Sequence, residues 1–120
     1  SRRRVVVTGL GLVSPVGNNT ADSCAGVRDG VSGITLIETF DTEGFASHIG
    51  GLIKNFDVSP YMDAKHARNS DLFMHYGIAS CKQAIDDAAL EVPEAEAHRF
   101  GVFMGSGIGG LGTIEKNYER

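Results

Sequence analysis

Phe100-Gly101-Val102-Phe103-Met104-Gly105-Ser106-Gly107-Ile108-Gly109-Gly110-Leu111-Gly112 is the stretch from which the fold is read. Phe100 to Met104 reads as a buried strand. It runs into a loop with five glycines between Gly105 and Gly112, and a helix is expected from about Thr113–Ile114. Glycine loses more backbone freedom on folding than any other residue, so such a loop implies a sharp bend or a close approach to the backbone. In α/β sheets ligands sit at the carboxyl ends of strands, which places a binding site here.

The 120 residues suffice for one small domain, and 42% hydrophobic content provides a core rather than a disordered chain. A net charge of −4 argues against a bulk nucleic-acid binder. Arg2-Arg3-Arg4 reads as a solvated lead-in to the first strand. No apolar run reaches membrane-spanning length, and the segment after the arginines is too short for a signal peptide. Cys24 and Cys81 lack metal-type spacing and read as reduced core residues of a cytoplasmic protein.

From the amino terminus, Arg4–Gly11 contains Val5-Val6-Val7, the unbroken β-branched pattern of a strand buried on both faces in a parallel sheet. Asn19 or Thr20 caps a short helix over about 21–29, with Gly30 as its terminating glycine. Segments 34–40 and 48–53 are short apolar strand candidates, the second weakened by Gly50-Gly51. A short helical piece at 61–69 carries Lys65, His66 and Arg68. Ser70 or Asn69 then caps a long helix over about 71–90. Its stripe of Met74, Ile78, Cys81, Ile85 and Ala88 is flanked by further apolar residues, so burial on most sides is expected. Pro93 punctuates, and Glu94–His98 forms a short helical turn. Strand, helix, excursion, long helix, strand, helix is a βαβ-type order, hence an α/β fold on a mostly parallel buried sheet.

Two chemistries compete for the glycine loop. Gly105-x-Gly107-x-x-Gly110 after a strand and before a helix fits the dinucleotide fingerprint. The surrounding Met104, Ile108 and Leu111 are apolar and suit an acyl group better than a pyrophosphate. Neither cysteine is expected at a helix N-terminus, where a thiolate would be stabilised. The four histidines show no ligand spacing, and no Ser/His/Asp or paired-carboxylate set is recognisable. Lys65 and Arg68, three apart in an acidic chain, form either a solvated face or a docking patch for an acidic partner.

Arg3-Arg4-Val5-Val6-Val7-Thr8-Gly9-Leu10-Gly11 and Ser14-Pro15-Val16-Gly17-Asn18 resemble the opening of the β-ketoacyl-acyl carrier protein synthases, in particular the type II elongating enzymes of bacterial fatty acid synthesis. The resemblance continues in order through Ser32-Gly33-Ile34, Phe40-Asp41, Gly51-Leu52-Ile53-Lys54, Phe56, Asp71-Leu72-Phe73, Tyr76-Gly77 and Gly105–Leu111. It implies a thiolase-like fold, of which residues 1–120 are the beginning of the first of two similar βαβ-rich halves.

The resemblance further implies fatty acid chain elongation by decarboxylative Claisen condensation of an acyl thioester with malonyl-acyl carrier protein. The partners are the acyl carrier protein and a second copy of the subunit, with no nucleic acid and no membrane. No cofactor is expected, since phosphopantetheine arrives on the carrier protein. The family's nucleophilic cysteine and two histidines do not map onto these residues, so no catalytic residue and no metal ligand is assigned and the chain by itself is expected to be inactive. Gly107 and Ile108 match the stretch lining the acyl pocket, and Lys65 and Arg68 match carrier-docking positions. Asn69 departs from the basic residue often found beside them. A dinucleotide-binding domain and a non-catalytic homologue such as a polyketide chain-length factor are the alternatives. A few sheet strands alone would leave edges and apolar helix faces exposed.

Overall fold

A computed structural model describes residues 2–118. In chain order the elements are helix α1 (Thr20–Arg28), strands β1 (Ile34–Leu36) and β2 (Ile49–Gly51), helices α2 (Ala64–Arg68) and α3 (Leu72–Asp87), a 3-10 turn (Glu94–Arg99) and helix α4 (Leu111–Tyr118).

Local signals account for α1. Asn19 is extended and its side chain accepts from the Asp22 amide, and Asp22 lies in the favourable first turn. At the other end Gly30 adopts φ +68°, the Val31 amide bonds the Gly26 carbonyl, and the Gly30 amide bonds that of Val27. This is a Schellman closure, and glycine supplies its left-handed residue without strain. Helix α3 closes the same way, through Leu90 to Ile85 and Ala89 to Asp86, but here an alanine holds φ +47°. The left-handed turn ends α3 at Asp87, three residues before the expected Leu90.

Strands β1 and β2 pair antiparallel, with Ile34 opposite Gly51 and Leu36 opposite Ile49. Lys54 ties this hairpin to the loop before α1. Its ammonium donates to the carbonyls of Pro15 (3.2 Å), Gly33 (2.9 Å) and Leu52 (3.2 Å), so each of its three protons has an acceptor.

The strands expected over Arg4–Gly11 and Phe100–Met104 are not formed among the described residues. Val5 is 93% exposed and Phe103 97%. A strand needs a neighbouring strand to pair with, and neither run has one among the described residues. The first run is bonded to a helix instead: the Leu10 amide donates to the Asp87 carboxylate (2.8 Å) and the Leu12 amide to the Gln83 side chain (3.1 Å). Among the described residues the only ladder is β1–β2, so these residues do not themselves display a parallel sheet.

The contact between this run and α3 is close. A Cβ at Gly9 would overlap the Ala84 carbonyl and come within 2.8 Å of the Ala88 methyl. One at Gly11 would overlap the Ser80 carbonyl and approach the Ala84 amide to 2.8 Å. Glycines on one side and Ser80, Ala84 and Ala88 on the other let two backbones meet. The expected stripe is not the buried side of α3. Ile78 and Ile85 are 42% and 48% exposed, and Ala79 is the one fully buried apolar residue among those described. The radius of gyration, 17.8 Å, exceeds the ~14 Å of a compact domain of this length.

Two substitutions test this account. Gly11→Ala forces Cβ into the α3 backbone and lowers stability by about 1–3 kcal/mol; an unchanged chemical denaturation midpoint would remove the close contact. Ala89→Gly relieves the left-handed alanine and raises stability by roughly 0.5–1 kcal/mol; a lower midpoint would show that the turn is not strained.

Candidate functional site

Helix α3 and the segment after Val102 enclose an apolar cleft. Its larger part, about 620 Å³, is walled by Phe73, Met74, Tyr76 and Gly77 on α3 and by Met104, Gly105 and Ser106 opposite. A continuation of about 380 Å³ adds Cys81, Ile85 and Val102. Gly77 admits Met104, since a Cβ there would lie 2.8 Å from the Met104 methyl. Cys81 Sγ and Met104 Sδ meet at 3.4 Å. Glycine inside a helix costs about 1 kcal/mol relative to alanine, so Gly77 is the residue of α3 that signals this close approach.

Behind the cleft, Tyr76 packs edge-on against Phe56 (ring centroids 5.2 Å apart), and Phe56 stacks on Tyr61. Burial pushes the Tyr76 phenol above its ordinary value, so it stays protonated at neutral pH. Gln83 links this aromatic group to the first glycine run, donating to the Asn18 carbonyl (2.9 Å) and the Tyr61 hydroxyl (3.1 Å).

Gly107 and Ile108 stand beside the rim residues Gly105 and Ser106 but do not line the cleft. Ile108 is 72% exposed, and nothing lies within 4 Å of a Cβ placed on Gly107. Gly109 then turns with φ +78°, and α4 begins two residues later. Cys24 is exposed and Cys81 half-buried in the cleft wall, so neither is the core residue expected; both are unpaired thiols. No group of three potential metal ligands occurs among the described residues.

Lys65 and Arg68 lie exposed on α2, and neither forms an ion pair among the described residues. Asp63 caps this helix, accepting from the Lys65 amide (3.0 Å) and the His66 amide (2.9 Å). These bonds, that from the His66 amide foremost, hold the Asp63 carboxyl below its usual range. His66 is engaged with Asp63, leaving Lys65 and Arg68 as the open cations of α2. The patch and the cleft share one end of α3, because His75 on α3 contacts the Ala67 carbonyl and the Ser70 hydroxyl, each at 3.0 Å.

The geometry opposes a pyrophosphate on the glycine loop. The Asp71 carboxylate lies over Gly110, where a Cβ would overlap Oδ2, and accepts from Thr113 Oγ1 at 2.6 Å. An anion already occupies the amino end of α4, where a dinucleotide's phosphates would have to sit. The apolar lining favours a hydrocarbon chain.

Residues 2–120 match the family model described as the N-terminal domain of β-ketoacyl synthase. The chain is 52% identical over 118 residues to the 3-oxoacyl-[acyl-carrier-protein] synthase 2 of Vibrio harveyi, covering 98% of this chain and 28% of that protein. The protein of the same name from Vibrio cholerae is 52% identical over 119 residues, or 99% and 29% of the two chains. That from Staphylococcus aureus strain COL is 42% identical over 113 residues, or 94% and 27%. The chain thus spans under a third of the length of these relatives. Among solved structures, the ishigamide ketosynthase/chain length factor superposes with a TM-score of 0.68 at 34% identity, covering 76% of this chain and 23% of that one. The fold is accordingly thiolase-like, and with the family model matching residues 2–120 and relatives 52% identical over nearly the whole chain, the chain belongs to the β-ketoacyl synthase family.

Proposed function

We propose that the protein containing this chain is an elongating β-ketoacyl-acyl carrier protein synthase. The 52% identity to the Vibrio synthases over nearly every residue carries this assignment. In the proposed reaction an acyl group passes from the carrier protein to a cysteine elsewhere in the subunit. Malonyl-carrier protein loses carbon dioxide, and the carbanion attacks the thioester, with histidines elsewhere in the subunit stabilising the developing oxyanion. The carrier's phosphopantetheine brings the substrates, so no separate cofactor is required.

Within that scheme these residues have binding roles. The cleft between α3 and Met104–Ser106 receives the hydrocarbon chain, and Gly107 and Ile108, which follow its Gly105–Ser106 wall in the chain, limit how far it enters. Lys65 and Arg68 meet the acidic carrier protein. The runs at 4–11 and 100–104 become inner strands of the family's mostly parallel sheet, with neighbours supplied by the rest of the subunit. The working enzyme is a homodimer in the cytoplasm. No helix among the described residues is long and apolar enough to cross a membrane, which is compatible with that location.

In the full-length protein, Ile108→Phe lowers kcat/KM for long acyl chains roughly tenfold or more while sparing short ones, the usual scale of discrimination by a hydrophobic pocket. An unchanged chain-length profile would take Ile108 out of the pocket. Reversing charge with Lys65→Glu and Arg68→Glu lowers kcat/KM for carrier-borne substrates by roughly tenfold and spares small thioesters, because exposed charges act chiefly on encounter. Equal loss on both substrate types would argue against docking. Failure of the purified protein to condense any acyl thioester with malonyl-carrier protein would reject the whole assignment.

A further inference from the structure

Asp71 stands at the N-cap of α3 yet makes no side-chain bond to that helix. Aspartate at this position ordinarily accepts from its own first turn. Here the carboxylate reaches instead across to Thr113 in the first turn of α4, with Oδ1 accepting from Oγ1 at 2.6 Å. Its other oxygen covers Gly110 so closely that no side chain fits there. Two residues along α3, the Phe73 ring lies 3.7 Å from the place a Cβ would take on Gly109. Two side chains from the start of α3 therefore grip Gly109–Thr113.

The upstream half of the loop is not gripped. Nothing lies within 4 Å of a Cβ built on Gly105 or Gly107, and Ile108 is largely exposed. The position of Ile108 is then fixed from its carboxyl side, where the chain enters the anchored segment.

We infer that Asp71 is a positioning residue for chain-length selection, holding the loop that carries Ile108 through its bond to Thr113. The inference rests on the acyl-pocket reading proposed above. Asp71 does not touch substrate; it acts through Thr113 and Gly110. Met104 holds the amino side of the loop against Gly77 and Cys81, four residues before Ile108; losing the Asp71 bond loosens the nearer, carboxyl-side anchor, so Ile108 yields and longer chains gain relative to shorter ones. A purely structural cap on α4 would instead affect all substrates alike.

The test uses the full-length enzyme with acetyl- and dodecanoyl-carrier protein as alternative primers. Asp71→Ala and Thr113→Val each raise the dodecanoyl-to-acetyl ratio of kcat/KM by roughly fivefold, about the net value of one hydrogen bond. Asp71→Asn retains an acceptor oxygen and stays near the parent ratio. Thr113 is exposed, so its variant keeps the experiment informative if Asp71→Ala folds poorly. An unchanged ratio, a uniform loss on both primers or a shift toward acetyl in Thr113→Val overturns the inference. If Ile108→Phe alters the profile while Thr113→Val does not, only the role of Asp71 falls. If Ile108→Phe is silent, the pocket reading falls and the inference with it.

Discussion

The packing of the Gly9–Gly11 backbone onto the Ser80, Ala84 and Ala88 face of α3 is the contact on which the arrangement depends. It joins residues some seventy positions apart in sequence. The bond from Leu10 to Asp87 and that from Leu12 to Gln83 fix its register. Two backbones can lie this close only where side chains are absent or reduced to a methyl or hydroxymethyl. Gly9 and Gly11 are packing residues here. From this seam, Gln83 carries the connection to Asn18 and Tyr61, and the aromatic group of Phe56, Tyr61 and Tyr76 braces the back of the cleft.

Helix α3 therefore has two working faces and a functional end. One face takes the first glycine run, and another forms the cleft wall through Phe73, Gly77 and Cys81. Its amino end meets α2, where Lys65 and Arg68 stand, and the anchored half of the glycine loop through Asp71. The cationic patch on α2 and the apolar cleft on α3 thus meet at one end of α3, joined by the contacts of His75 with Ala67 and Ser70.

Features set within a few residues were legible. Asn19, Asp22 and Gly30 determine α1 to within one residue, since each acts on a backbone group close in sequence. Segments 34–40 and 48–53 contained the observed strands, and the exposed pair on α2 was located. The early end of α3 was not legible, because Ala89 gives no sign of a left-handed turn. The burial of α3 was misread for a related reason: hydrophobic periodicity finds the apolar stripe but not which face a glycine-bearing partner selects. The bond between Asp71 and Thr113 spans 42 positions, and neither residue type announces it. Ile108 was assigned to the pocket from the family resemblance; of the residues that wall the cleft, Phe73 and Gly77 were matched to the family without a role and Met74 was read as part of the helix stripe.

The exposed apolar runs carry the last step. Val5, Val7, Val102 and Phe103 are each at least 79% exposed, and burying side chains of this size is worth about 1.5–3 kcal/mol apiece. They cluster in two stretches without polar alternation, the pattern of strands covered on both faces. Scattered apolar residues need no explanation, but two contiguous runs of this kind require a partner surface. The side chains of α3 cannot provide it, because the seam at Gly9–Gly11 brings in backbone and leaves the valines upstream uncovered. In the synthase assignment, further strands of the same subunit satisfy both the open backbone groups and the apolar side chains.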